Sequence, residues 1–399
     1  MTTNSPLVTG RHRRAVHAAD GIAGASLPAT SGCSRTSARY LTGKLFTMVI
    51  WHRIVAVLGA VLLVLGLVLA TARHAEAATG CPVTGSSGQE QDLIASICNV
   101  PPNAQYGLRD SAGNSMDTMK VIATTSAPAY IAVYHNCTTN PCHMLVASSG
   151  DLRTWTYRAT LQTDGAQPTV KRLSDGSYLV PYEAQVPTDH LVVVWYSSLS
   201  HLLAGVTGSR FDVPDNLGAC QGTPNIYSPV SYTSLSHSKF HIGFHWSNCA
   251  NDREGTGTLT NFTTWSASGS TWLDTALDNA GAAGKHGDRD AIWHGGHLYD
   301  VSEGTTNPVY SPADWRLYSY GFTENAAVQI PVRTAGGSTA FANPTVTSLT
   351  GPGGIRDLVI SIFIPSEGAA PGEGGELLYT VPDNLGTSQG ALPAVIRRS

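Results

Sequence analysis

One short unit recurs along this chain and limits what it can fold into. It is a strand that opens on a proline, a turn, and a second, more apolar strand. Gln167-Pro168-Thr169-Val170 leads to the run Tyr178–Glu183, and Thr223-Pro224-Asn225-Ile226 to Phe240–Trp246. Arg289-Asp290-Ala291-Ile292 leads to His297–Glu303, and Asn343-Pro344-Thr345-Val346 to Asp357–Phe363. A fainter first copy starts at Met119-Lys120-Val121 and leads to Tyr130–His135. With Met119, Pro168, Pro224, Asp290 and Pro344 taken as equivalent, the intervals are 49, 56, 66 and 54 residues. Strand units repeated at such periods point to radial repetition, which leaves few open sheet edges. A proline fits the first residue of a strand, because that residue need not donate to the ladder. The expectation is an all-β chain: a five-bladed β-propeller over residues 105–399 behind a short N-terminal extension, 78–104. A β-sandwich or β-helix is the rival, and neither explains five units of unequal length with one opening. Glu90–Ile97 is the one short stretch that reads as helix.

Composition agrees with a turn-rich exported chain. Of 399 residues only 13% are charged, the formal net charge is -4, and Gly and Pro number 41 and 22. Mild acidity with no basic patch excludes a nucleic-acid surface. Ile54–Ala72 is an uncharged apolar run, with His52-Arg53 before it and Ala75-Glu76-Ala77 after it. Those are the parts of a secretory signal over 48–77, with a membrane anchor as the alternative. Residues 1–47 read as a disordered or untranslated leader. Beyond the leader stand six cysteines, an even count that fits export and disulfides. Nearest-neighbour closure predicts Cys81–Cys98, Cys137–Cys142 and Cys220–Cys249.

The segment Lys285–Asn307 concentrates charge. It reads as a hairpin turning at Gly295-Gly296. That register sets Asp288 opposite Glu303 and Asp290 opposite Val301, with Asp288, Asp290 and Glu303 on one face. Like charges so placed repel, and a cation, a shared proton, an arginine or open water must offset them.

Later in the first unit, Ser149-Gly150-Asp151-Leu152-Arg153-Thr154-Trp155 reads as a turn and a Trp. The third unit repeats that form up to Trp265. Both tryptophans are expected to pack between blades. This Ser-x-Asp-Leu-x-x-Trp run in a five-unit chain resembles the five-bladed propeller glycosidases, the arabinanase, arabinofuranosidase and β-xylosidase group with its invertase and levansucrase relatives. The resemblance implies a secreted enzyme acting on a plant or microbial polysaccharide from a funnel at the propeller axis. In that group an acid commonly precedes the strand-opening proline. Here Gln167, Thr223 and Asn343 stand there, and Arg289 in the fourth unit.

The catalytic carboxylates are therefore expected among Asp117, Asp288 and Asp290 at first-strand starts, and Glu183 and Glu303 at second-strand ends. Glycoside hydrolysis needs one protonated and one ionised carboxyl, and clustering supplies the pKa difference. Gln167, Asn343, His135 and His245 are expected to bind sugar hydroxyls. Trp246 is the expected stacking platform, Arg253 the expected contact to a carboxylate on an acidic sugar, and Asp252 and Arg289 further substrate contacts. His286 and His294 belong to the same histidine set. Glu367, Glu373 and Glu376 lie in a Gly/Pro-rich loop and are expected to be exposed. No cofactor is required on this reading, although the channel has the character to hold a calcium. The expected partner is a polysaccharide or oligosaccharide, bound by a monomer. The alternatives are a carbohydrate-binding propeller without catalysis, and a lyase acting on a uronate.

Overall fold

The computed structural model describes residues 81, 88–247 and 251–397. The expected leader and signal, and Cys249, lie outside the described residues. Five antiparallel sheets follow one another along the chain. Blade 1 holds β1 (Asp117–Ala123), β2 (Tyr130–Asn136), β3 (His143–Ser149) and β4 (Thr156–Gln162). Blade 2 holds β5 (Lys171–Arg172), β6 (Tyr178–Ala184), β7 (His190–Tyr196) and β8 (Ser209–Asp212). In blade 3 the inner strand is split into β9 (Gly222–Ile226) and β10 (Ser231–Ser234), both paired with β11 (His237–Trp246). Strands β12 (Arg253–Thr260) and β13 (Thr264–Gly269) complete it. Blade 4 holds β14 (His286–His294), β15 (His297–Thr305), β16 (Trp315–Gly321) and β17 (Ala326–Ile330). Blade 5 has β18 (Ala342–Thr350), β19 (Arg356–Ile364) and β20 (Gly375–Pro382).

Second strands such as Tyr130–Asn136 and Tyr178–Ala184 are buried along their whole length. The reason is that both faces of a blade meet a neighbour, so the two-residue period divides side chains between two cores. In β2, Tyr130, Ala132 and Tyr134 join a core with Leu349, Val359 and Leu378 of blade 5. Ile131 and Val133 join Val180 and Tyr182 of blade 2. Trp155 lies in the first of these cores. Trp265 packs with Leu179 and Leu191 across blades 2 and 3, so both tryptophans fill blade interfaces as expected.

The ring closes through its N-terminal extension. Gln105 exchanges two backbone hydrogen bonds with Leu378, each 2.9 Å, and Leu108 N–H donates to Glu376 O at 3.3 Å. This segment takes the outer place that blade 5 lacks. Before it, α1 (Gly88–Cys98) buries Leu93, Ile94 and Ile97 against residues of blades 4 and 5 such as Tyr299, Leu317 and Ile360. Glu90, in the first turn of α1 where carboxylates are favoured, accepts from Ser319 Oγ at 2.9 Å. Two of the expected disulfides are present, Cys81–Cys98 and Cys137–Cys142. Cys220 is also disulfide-bonded. No helix among the described residues is long and apolar enough to cross a membrane.

Candidate active site

Inner strands of all five blades line one axial cavity. Thr118, Gln167-Pro168-Thr169, Thr223-Pro224, Arg289-Asp290 and Pro344-Thr345 surround it. The expected ring of first-strand starts is thus observed. Each inner strand carries a bulge near its start. The ladder steps from Asp117↔His135 to Lys120↔Val133, from Gly222↔His245 to Asn225↔Gly243, and from Ala342↔Phe363 to Thr345↔Ser361. In β14 the same step lies between His286↔Gly304 and Arg289↔Ser302. Two residues, Gly287 and Asp288, therefore oppose Glu303, while Asp290 opposes Val301 as expected. This corrects the repeat alignment: Asp288, not Asp290, is the counterpart of Pro168, Pro224 and Pro344. Blade 4 has no proline at that position to mark its register.

The bulges hold strained backbone. Thr118, Gln167, Thr223 and Asn343 have φ of 50°, 47°, 50° and 50°, where side-chain-bearing residues rarely sit. The amide of each is capped by a side chain of the preceding blade. His135 Nδ1 accepts from Gln167 N–H at 2.9 Å, and Glu303 Oε2 from Asn343 N–H at 2.5 Å. Glu376 accepts from Thr118 N–H at 3.0 Å, and Glu183 from Thr223 N–H. Glu373 and Glu376 are therefore not exposed as expected. Glu376 is fully buried in its cap, and Glu373 is buried under Ser338, Thr334 and Gly336, so each carboxylate meets donors that a loop would leave open. Glu367 is exposed.

His135, Glu183 and His245 occupy one register position, opposite Asp117, Ala166 and Gly222. They form an inner ring against the cavity-lining residues Gln167 and Thr223. Burial pushes Glu183 up to about 8, with Asp189 and Asp252 adding repulsion. A Cβ on Gly222 would collide with that carboxylate, so only glycine admits Glu183 here. Burial lowers both His135 and His245 to about 4, so each imidazole is neutral near pH 7. His135 accepts at Nδ1, which leaves Nε2 as its donor. His245 Nδ1 lies 2.6 Å from Thr223 Oγ1.

Around that ring stand further acids. Asp252 pairs with Lys285 Nζ at 2.9 Å. Burial raises Asp189. Asp117, half-buried, is raised mainly by burial and accepts from Ser115 Oγ at 2.9 Å. Arg253 donates to the carbonyls of Gly284, at 2.8 Å, and Asp252, at 3.2 Å.

Other expected site residues are turned elsewhere. The Trp246 indole lies on Gly218 and Gly255 and donates to Glu254 O at 3.2 Å. The Arg289 side chain is fully buried, 3.0 Å from Glu254 and 3.2 Å from Asn225 Oδ1. Asp290 is paired with Lys120 and accepts from Val346 N–H at 2.9 Å, which ties blades 1, 4 and 5 together inside the channel. His286 lies between Asp274 and Asp278, and His294 between Asp92 and Asp383. Among the described residues no three His, Cys, Asp or Glu side chains converge as a metal site. The Asp290 carboxylate in the channel is matched by the Lys120 ammonium.

Asn343 Nδ2 donates to Thr118 Oγ1 at 2.7 Å, whereas the buried Gln167 Oε1 has no partner. Strain and an unmet acceptor at one residue mark a position kept for binding rather than for stability. Gln167→Gly is expected to raise stability by about 1 kcal/mol, because glycine tolerates positive φ. The gain is read as a higher urea midpoint when the variant and the parent are unfolded side by side.

No family model and no curated protein matches the sequence. Among solved structures, the chain is similar to a thermostable family-43 glycoside hydrolase, with 11% identity and a TM-score of 0.47 over 72% of this chain and 98% of that one. It is similar to an α-L-arabinofuranosidase from Lactobacillus brevis, with 7% identity and a TM-score of 0.46 over 69% and 94%. The catalytic domain of a Coprinopsis cinerea α-L-arabinofuranosidase gives 9% identity and a TM-score of 0.45 over 72% and 95%.

Proposed function

We propose that this chain is an exported glycoside hydrolase that cleaves a polysaccharide of arabinan or xylan type at the mouth of its propeller. The observation that carries the reading is Glu183, a carboxyl held protonated at neutral pH on the inner ring, with Asp252 and Asp189 as neighbours. Two carboxyls in opposite protonation states are what glycosidic cleavage requires. Glu183 gives its proton to the leaving oxygen. Asp252, in its ion pair with Lys285, is the ionised partner that activates water or stabilises positive charge at the sugar. Neutral His135 and His245, with Gln167, hold hydroxyls. In this reading Asp290, Glu303 and Glu376 serve the ring joints. The Ser149–Trp155 resemblance supports the polysaccharide class, and the two disulfides support an oxidising, extracellular location.

A binding propeller without catalysis is the second reading. It is favoured by the non-acidic residues Thr118, Gln167, Thr223 and Asn343 at the strained positions. A lyase would need an arginine to neutralise a uronate; Arg289 is committed to Glu254, and Arg253, which donates to the carbonyls of Gly284 and Asp252, is the arginine left for that role. A panel of polysaccharides incubated with the purified chain separates the three. New reducing ends without ultraviolet absorbance are expected. An unsaturated product would replace the reading with a lyase, and binding without any product would replace it with a lectin.

A further inference from the structure

Tyr310 lies in the loop between β15 and β16. That loop shares the mouth with Glu183 and Asp252, because second strands end there. The side chain is 54% exposed. Its surroundings are ordered. Lys285 Nζ stands 5.3 Å from the ring centroid, within cation–π range. Trp315 meets the ring edge-on, with centroids 6.2 Å apart and planes at 73°. The same ammonium bonds Asp252 Oδ2 at 2.9 Å. One lysine thus links an open aromatic ring to the Asp252 carboxylate of the acid group.

A sugar presents an apolar C–H face and a rim of hydroxyls. Such a ligand covers an aromatic face while its rim bonds nearby charges. Trp246, expected for this task, is packed against glycine backbone. Charge at the mouth also selects. Lys285 is balanced by Asp252, and the remaining charge of Arg253, fastened to carbonyls, is outnumbered by the carboxyls of Asp117 and Asp189. An anionic sugar would meet repulsion there. We infer that Tyr310 is the stacking platform of a subsite for a neutral sugar residue next to the cleaved bond, with Lys285 ordering its hydroxyls. This rests on the glycoside reading above.

Calorimetric titration of the parent, Tyr310→Ala and Tyr310→Phe with linear arabino-, xylo- and galacturonate pentasaccharides tests it, alongside melting curves and KM. Tyr310→Ala is expected to bind the neutral oligomers about tenfold more weakly, the scale of uncovering an aromatic face. KM should rise similarly, with melting unchanged and Tyr310→Phe behaving as the parent. An oligomer cleaved by the parent with an unchanged KM in Tyr310→Ala overturns the platform alone. Tightest binding of the galacturonate oligomer overturns the neutral subsite. An oligomer bound but never cleaved, and released by Tyr310→Ala, keeps the platform and removes the hydrolase. No binding of any oligomer to the parent overturns both.

Discussion

Glu183→Gln is expected to cut turnover by about 100- to 10,000-fold, the usual loss when general acid catalysis is removed. The amide keeps the shape of the carboxyl and cannot give up its proton. The pH dependence separates this from a structural effect. In the parent, activity should fall as pH rises through about 8, where Glu183 loses its proton, and the variant's residual rate should lack that limb. Stability should move the other way. Burial raises the folded-state pKa of Glu183 above its ordinary value of 4.5, so the folded chain holds a proton that the unfolded chain gives up. Below about pH 4.5 both states carry it and nothing is lost. As pH climbs from there towards 8, stability drains at about 1.4 kcal/mol per pH unit, and above 8 the loss is constant. Glutamine does not titrate, so the variant's melting temperature should draw ahead of the parent's across that window and match it in acid. A variant with parental turnover on a substrate the parent cleaves would remove Glu183 from the chemistry.

The second large effect lies deeper in the channel. Lys120→Met leaves Asp290 buried without its cation and should cost about 3–5 kcal/mol in urea unfolding. Lys171 does not rescue it, because that side chain donates to Ser228 Oγ at 2.6 Å and burial lowers its pKa. Replacing both partners, Lys120→Met with Asp290→Leu, should recover most of the loss, since a packed apolar pair is often as stable as a buried ion pair. If Lys120→Met unfolds at the parental urea midpoint with an unchanged slope, the pair does not hold the ring.

The architecture was legible because its signals are local. The prolines of Gln167-Pro168, Thr223-Pro224 and Asn343-Pro344 mark inner strands directly. Gly295 and Gly296, with φ of 58° and 85°, make the tight hairpin turn their sequence suggests. Of the candidate site, the sequence showed residue types and strand ends but not contacts. Glu183, His135 and His245 showed themselves as polar ends of apolar runs. The two-residue slip at Asp288 and Asp290 arose because blade 4 carries Asp288 where Pro168, Pro224 and Pro344 mark the other inner strands. Glu376 was taken for a loop acid because its Gly/Pro-rich surroundings say nothing about Thr118, 258 positions away, whose amide it caps. Tyr310 sits in an irregular stretch without periodicity, so only its neighbours Lys285 and Trp315 reveal a task.

The borrowed outer strand of blade 5 sets an order of events. Gln105 leaves the ribosome among the first residues of the ring, yet Leu378, its partner, comes nearly last. A growing chain can pair strands within a blade, but it cannot close the circle until Leu378 has been made. Such distant pairing makes folding slow, on the order of milliseconds to seconds, and cooperative. Until that moment the faces that become Leu349, Val359 and Trp155 packing stay uncovered. A chain that lacks either Gln105 or Leu378 would therefore forfeit the closure of the whole ring rather than one blade.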